Sequence, residues 1–167
     1  MKPLLLLFGC LLISGSCLGQ STQGPGCYSL RQYFDDTKMA SKEVGYSSIP
    51  FNKKYAELTV EQKRLFKSQY DAMDEADEPP YPIGGLKDIF DPIARGQSSI
   101  LQHGEVSVDI EIDAAGAAVT ARVLKSPGPL ASQLVAGVAL LAKYKPGICG
   151  GTPCAMSFPV RVNLGVR

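Results

Sequence analysis

A clean alternation of apolar and polar residues at 104–113 constrains the fold of this chain most. In GEVSVDIEID, valine and isoleucine recur at every second position, with carboxylates and a serine between them. A period of two is typical of a β-strand that buries one face. Residues 114–116 then predict a turn, and a second alternation through Val119, Ala121 and Val123 predicts the antiparallel partner strand.

A helix and a third strand are predicted after this hairpin. Apolar residues recur at helical spacing through residues 130–142, and Pro146 ends the pattern. Residues 156–164, MSFPVRVNL, alternate again and predict a strand, although Pro159 in its middle has no N–H to donate to a sheet. The apolar stripe predicted for the helix comprises Leu130, Leu134, Val135, Val138, Leu141 and Ala142.

Two helical segments are predicted before the hairpin. Thr59 and Gln62 form a capping-box pattern, and the residues after them repeat apolar side chains on one helical face. Beyond a boundary rich in proline and glycine at 79–85, helical spacing resumes but Pro92 interrupts it. Either a short helix stops before Pro92, or a second helix begins with Pro92 at its first position.

These patterns together predict an α+β fold. Its centre is a small antiparallel sheet of β-β-α-β order, packed on a helix and preceded by a helical N-terminal segment. The predicted organisation is a signal peptide at 1–19, a tether and helical segment at 20–80, and the sheet domain at 81–167. A three-stranded sheet of this kind keeps at least one open edge, which has to be covered or used.

The first residues have the pattern of a secretory signal peptide. Lys2 precedes an apolar run at 4–13, and small residues follow that run. The run is about half as long as the ~20 residues that cross a bilayer, so a removed signal is favoured over a permanent membrane helix. A lipid tether through Cys17 is the less favoured alternative, because the residues before that cysteine fit a bacterial lipobox only loosely.

Cysteine placement agrees with export from the cytoplasm. Cys149 and Cys154 bracket the short stretch GGTP and are predicted to form a disulfide in an oxidising compartment. Cys27 is then left over, either as a free thiol or bonded to another molecule.

Composition removes several classes of function. The chain has 17 Lys and Arg against 16 Asp and Glu, without the basic surplus of a nucleic-acid binding protein. His103 is the only histidine, which removes most histidine-based catalysis and most metal sites from consideration. No catalytic residue, metal site or cofactor is predicted, and the chain is expected not to be an enzyme. The outward carboxylates of the first strand are interpreted as its solvent face: Glu105, Asp109, Glu111 and Asp113.

The order of these elements resembles the C-terminal domain of the TonB family over about residues 81–164. Tyr81 and Pro82 precede a short helical segment, and a hairpin that starts with glycine and has a glycine in its turn follows, GEVSVDIEIDAAGAAVTARVLKS. The helix ends in KYKP, a turn containing glycine comes next, and the last strand carries a proline early in it. The cysteine pair before that strand departs from the family pattern.

The resemblance implies a protein-interaction module in the periplasm. A domain of this family binds an extended segment of an outer-membrane or other envelope protein as an extra strand beside its last strand, which is β-augmentation. Residues 20–80 hold no spacer rich in proline and lysine, so only the fold and the binding mode are carried over, without energy transduction. The partner-binding residues expected on this basis are Ser157, Phe158, Val160, Arg161, Val162 and Asn163.

Pro159 predicts that the last strand lies at an edge of the sheet. Backbone groups of alternate residues point to opposite sides of a strand, so Pro159 shares its direction with Arg161 and Asn163. If that side is free, an added strand pairs best from Val160 onward. The alternative is a structural or accessory envelope protein in which residues 27–80 cover the edge and no transport role exists.

Overall fold

The computed structural model describes residues 49–71 and 73–165 of the chain. The predicted signal peptide, most of the tether, and Cys17 and Cys27 lie outside the described residues. Within the described residues, no helix has both the length and the apolar character needed to cross a membrane.

Three α-helices and seven strands follow one another in the described part of the chain. They are α1 (Val60–Lys67), β1 (Tyr81–Pro82), α2 (Lys87–Gly96), β2 (Gly104–Ile112), β3 (Ala118–Lys125), α3 (Pro129–Leu141), β4 (Tyr144–Lys145), β5 (Gly147–Cys149), β6 (Thr152–Cys154) and β7 (Met156–Leu164). Short 3-10 turns at Tyr55–Glu57 and Gln97–Ser99 flank the first two helices.

The main sheet has three antiparallel strands in the order β3-β2-β7, and α3 packs against it. β2 pairs with β7 in one continuous register, from Gly104 opposite Leu164 to Ile112 opposite Met156. Two further antiparallel pairs, β1 with β4 and β5 with β6, lie outside this sheet. The predicted α+β class, with a β-β-α-β sheet on a helix, is confirmed.

One face of the main sheet forms the core, as the alternation predicted. The four apolar side chains of β2 are fully buried, and Phe158 and Val160 of β7 are buried with them. Residues before position 80 belong to the same core, because Tyr55, Phe66 and Tyr70 are also buried there. The change of pattern near residue 80 therefore does not separate two hydrophobic cores. The four side chains of β2 are Val106, Val108, Ile110 and Ile112.

The structure confirms the middle of the apolar stripe predicted for α3, where Leu134, Val135 and Val138 contact the core, and corrects its ends. The buried residues of α3 are Ala131, Val135 and Ala139, whereas Leu130 and Leu141 are 49% and 83% exposed. Almost every position of PLASQLVAGVALL is apolar or small, so the helical period cannot indicate which stripe faces the sheet. The short alanine side chains lie against the sheet, and the longer leucines at the ends of the predicted stripe project from it.

The helix around Pro92 is also different from both predicted alternatives. α2 runs without a break from Lys87 to Gly96, with Pro92 inside it. A proline in a helix removes one backbone hydrogen bond without necessarily ending the helix. Burial of Ile89 and Ile93, on either side of the proline, holds the segment in helical form.

The capping box before α1 is present as predicted. The backbone N–H of Gln62 donates to the Thr59 hydroxyl at 3.3 Å, and the backbone N–H of Thr59 donates to the Gln62 side-chain oxygen at 3.0 Å. The helix ends at Lys67, earlier than the apolar pattern indicated. The Lys67 ammonium then donates to the backbone carbonyl oxygens of Asp74 and Glu75, so that the chain turns around the end of the helix.

Candidate interaction edge of the sheet

The edge strand β7 has the geometry of a template for another strand. Among the described residues, it pairs with β2 along one side and with no strand along the other, because β7 is the last strand in the order β3-β2-β7. Its nine residues pair with the nine of β2 without a register shift. A regular strand presents unpaired N–H and C=O groups at even spacing along its free side, and these groups can pair with an added chain.

A tyrosine from outside the sheet identifies which residues point to the free side of β7. The Tyr70 hydroxyl donates to the backbone carbonyl oxygen of Ser157 at 2.8 Å. Antiparallel pairs alternate between residues that bond to the partner strand and residues that do not. We infer that Ser157, Pro159, Arg161 and Asn163 all direct their backbone groups away from β2. Pro159 in this set costs the sheet no hydrogen bond.

Aromatic packing holds Tyr70 in this position. Phe66, at the end of α1, is fully buried and its ring lies 6.2 Å from that of Tyr70. The same Phe66 ring contacts Phe158 on β7 at 5.9 Å and Tyr81 at 5.3 Å. The Tyr70 amide also donates to the Lys67 carbonyl at 3.0 Å. The N-terminal segment is therefore fastened to β7 at the start of that strand.

The second half of the β7 edge is open within the described residues. Arg161 is partly exposed and Asn163 is exposed, and no hydrogen bond from outside the sheet reaches either backbone in residues 49–71 and 73–165. Pro159 separates this half from the half that Tyr70 covers. The open half spans residues 160–164, about 17 Å of extended chain.

The six residues predicted to bind a partner fall into separate environments. Ser157 lies under Tyr70, and the side chains of Phe158 and Val160 are fully buried in the core. Arg161, partly exposed Val162 and exposed Asn163 remain accessible at the open half. A partner strand could reach the buried members through their backbone only.

Charges on the outer face of the sheet surround one carboxylate. Asp109 of β2 lies opposite Arg122 of β3 and next to the register position of Arg161. Partial burial raises the pKa of Asp109, while the positive charges of Arg161 and Arg122 oppose that rise. The same face carries both signs of charge, since Lys125 of β3 pairs with Glu105 of β2 at 2.8 Å and Arg161 of β7 is partly exposed beside them.

The opposite edge of the sheet is a poorer template. β3 pairs with β2 through two register shifts, one near each end. Such bulges bend and twist a strand and interrupt the even spacing of its outward groups. Val119 and Leu124 fall at these shifts and are 53% and 49% exposed. The regular edge of the sheet is that of β7.

A disulfide closes the hairpin before β7, as predicted. Cys149 and Cys154 are bonded, with Cα atoms 5.8 Å apart, and the turn between them places Gly150 and Gly151 at φ angles of 57° and 82°. Glycine adopts these angles without steric cost. Closing so short a loop contributes roughly 2 kcal/mol in the chain-entropy account.

The disulfide hairpin also contacts the N-terminal segment. Glu78 and Ile148 exchange two backbone hydrogen bonds, 3.0 and 2.8 Å long, and the buried Asp77 carboxylate accepts from the Gly150 amide at 2.8 Å. The Glu78 side chain pairs with Lys145 at 3.1 Å. Burial lowers the pKa of Lys145, and its hydrogen bond and ion pair with Glu78 oppose that decrease.

His103 is exposed and lies outside the sheet edge. It borders an open depression of about 740 Å³ together with Asp91 and Arg95. Within the described residues, no cluster of histidine, cysteine and carboxylate side chains could hold a metal ion. The prediction that the chain is not an enzyme stays a prediction.

Comparisons with protein-family models, curated proteins and solved structures found no match for this chain. The resemblance to the TonB family therefore stays a prediction from the sequence. The geometry of the β7 edge is the main basis for a functional proposal.

Two residues at the edge were missed by sequence reasoning. Tyr70 follows the end of α1, and its bond to Ser157 joins residues 87 positions apart. Asp77 lies in a stretch of acidic residues that is typical of a solvated surface, yet it is only 4% exposed. A single sequence contains no local signal for either contact, since both depend on how distant segments pack.

Proposed function

We propose that this protein is an interaction module that binds an extended peptide segment by β-augmentation at residues 160–164 of β7. The observation that carries the proposal is the regular edge at Arg161 and Asn163, to which no strand among the described residues pairs and which Pro159 bounds on one side. Main-chain hydrogen bonds to these residues would supply affinity, and alternate side chains would supply selectivity.

The proposed partner is an envelope protein, and the proposed location is the periplasm. Both follow from the signal-peptide pattern and the resemblance to the TonB family, in which the bound segment belongs to an outer-membrane transporter. The positive charge of partly exposed Arg161 favours a segment with an acidic residue opposite that position. The proposed role is accessory to transport.

The expected affinity is low. The open half offers roughly four backbone groups, and a hydrogen bond contributes about 1 kcal/mol net, which corresponds to a dissociation constant on the order of 1 mM before side-chain contacts. A nuclear magnetic resonance titration at millimolar peptide is therefore the appropriate measurement. The probe is a synthetic eight-residue peptide from the periplasmic segment of a TonB-dependent transporter.

We expect this peptide to shift the amide signals of Arg161 and Asn163 more than those at 156–158. A second peptide with proline at alternate positions cannot donate to the edge and is expected to give smaller shifts, because only its carbonyl groups can still pair with Arg161 and Asn163. Absence of shifts at millimolar concentrations of the first peptide would contradict the proposal.

A proline substitution at Asn163 tests the backbone donor itself. Asn163→Pro removes the outward N–H, while Asn163→Ala removes the same exposed side chain and keeps that N–H. We expect the proline variant to weaken peptide binding about fivefold to tenfold and the alanine variant to bind like the wild type, because one hydrogen bond contributes about 1 kcal/mol. Equal binding by both variants would exclude backbone pairing at this position.

A covered edge is the second candidate function, and the Tyr70 contact with Ser157 favours it. In that case the protein is a structural or accessory envelope protein whose N-terminal segment protects the sheet from pairing. The same titration separates the two functions, since a fully protected edge gives no shift with either peptide.

A further inference from the structure

We propose that the Cys149–Cys154 disulfide controls the cover over Ser157, so that reduction by a dithiol releases the Tyr70 segment and lengthens the open edge of β7. Reduction would thus regulate the same β7 edge that the proposed function uses. This proposal rests on the proposed function only for the identity of the segment that the edge binds. The release itself depends on contacts between the hairpin and residues 67–78.

The first contact joins the disulfide hairpin to the N-terminal segment. Glu78 forms a two-bond bridge to Ile148, and Asp77 accepts from Gly150 inside the disulfide loop. The paired strands of this hairpin have only three residues each. A hairpin so short is marginally stable by itself, so its shape depends on the covalent link between Cys149 and Cys154.

The second contact leads from residues 74–78 to the edge of β7. The Lys67 ammonium donates to the carbonyl oxygens of Asp74 and Glu75, and Tyr70 lies inside the turn that these bonds close. The Tyr70 hydroxyl then reaches Ser157. When the hairpin loses its conformation, residues 77 and 78 lose their hydrogen bonds to it. The turn that holds Tyr70 is then no longer fixed at its C-terminal end.

The disulfide is placed where a reductant can reach it. Cys149 is buried, but Cys154 is partly exposed and the turn residues between them are exposed. A thiolate of a dithiol protein attacks Sγ of Cys154, which breaks the Cys149–Cys154 bond, forms a mixed disulfide and releases the Cys149 thiolate. The second thiol of the reductant displaces Cys154. Two electrons and two protons pass to the cysteines, and the reductant becomes a disulfide.

Hydrogen exchange of the purified full chain tests the release without any ligand. We expect amides at 68–70 and 77–78 to exchange about tenfold faster or more after reduction, because their supporting hairpin is lost. Amides of β2 (Gly104–Ile112) serve as the internal control and are expected to keep their rates. Equal rates at 68–70 in the oxidised and reduced forms would overturn the proposal.

Two variants separate reduction from general unfolding. The double substitution Cys149→Ser and Cys154→Ser is expected to reproduce the exchange of the reduced chain. Asp77→Asn keeps the disulfide and weakens its contact to Gly150, so we expect faster exchange at 77–78 with an intact Cys149–Cys154 bond. Unchanged exchange in both variants would also overturn the proposal.

The transporter-derived peptide distinguishes this inference from the proposed function. Faster exchange on reduction, together with added peptide shifts at Ser157, supports both. If exchange becomes faster on reduction but neither redox state binds the peptide, the redox-controlled release is supported and the proposed peptide-binding function is excluded. Peptide binding that does not change on reduction, with exchange also unchanged, keeps the function and overturns the redox control.

Discussion

At the scale of single residues, Pro159 and Tyr70 decide how much of β7 is available. Pro159 removes one donor from the free side, and Tyr70 occupies the Ser157 carbonyl next to it. Both act on backbone groups, so the side chains that face the core are not involved. The open edge is therefore shorter than the strand, which limits a partner to a short extended segment.

Asp109 gives the chain a testable pH dependence at the residue scale. Burial raises its pKa above the ordinary value of 3.8. A carboxyl group of this kind stabilises the fold fully below its unfolded pKa, and the contribution is lost as the pH rises through the folded pKa. We expect Asp109→Asn to abolish this decrease in the free energy of unfolding with rising pH. Urea unfolding between about pH 3.5 and 7 measures the effect.

Glu111→Gln is the matched control for that measurement. Glu111 lies on the same strand and the same face as Asp109 but is exposed, and its substitution also removes one negative charge. If the two variants had the same unfolding free energy at every pH, partial burial of Asp109 would not be the cause of the effect.

At the scale of elements, close approaches of backbone decide where glycine is required. The turn between β2 and β3 places Gly116 at a φ of 84°, and a Cβ added there would collide with the backbone carbonyl of Tyr144. This contact joins the hairpin turn to β4, so the turn depends on a distant strand as well as on its own residues. Gly137 in α3 has open space around it instead.

Alanine at these two glycines is expected to have opposite effects. Gly116→Ala should lower the free energy of unfolding by about 2 kcal/mol or more, because it combines left-handed strain with a clash against backbone. Gly137→Ala should raise it by about 0.5–1 kcal/mol, since glycine is a poor residue inside a helix. Urea denaturation measures both, and a loss of stability in the Gly137 variant would contradict the open space at that position.

At the scale of the whole molecule, one core includes residues from both sides of position 80. Phe66 of the N-terminal segment contacts Phe158 of β7 and Tyr81 of β1. The segment predicted as a tether and helix therefore packs as part of the sheet domain from Ile49 onward. Any opening of the β7 edge at Ser157 involves part of this shared core.

Phe66→Ala is expected to destabilise the whole domain. Removal of a buried aromatic ring costs about 3–5 kcal/mol, and the loss should appear as one cooperative transition in both far-ultraviolet circular dichroism and tyrosine fluorescence. Val60→Ala on the same helix replaces a side chain that is 75% exposed and is expected to change stability by less than about 0.5 kcal/mol. Two separate transitions in the wild type would show that the segment unfolds independently of the sheet.

The sequence alone determined the long elements α1, β2, β3, α3 and β7 and their order, because periodicity and caps are local properties. The alternation of β2, the Thr59 capping box and the Cys149–Cys154 bond were predicted and are present. Only the tertiary structure decided the buried face of α3, the continuity of α2 through Pro92 and the cover of Ser157 by Tyr70. An almost wholly apolar helix has no period that selects a face, and a contact across 87 residues leaves no trace in local spacing.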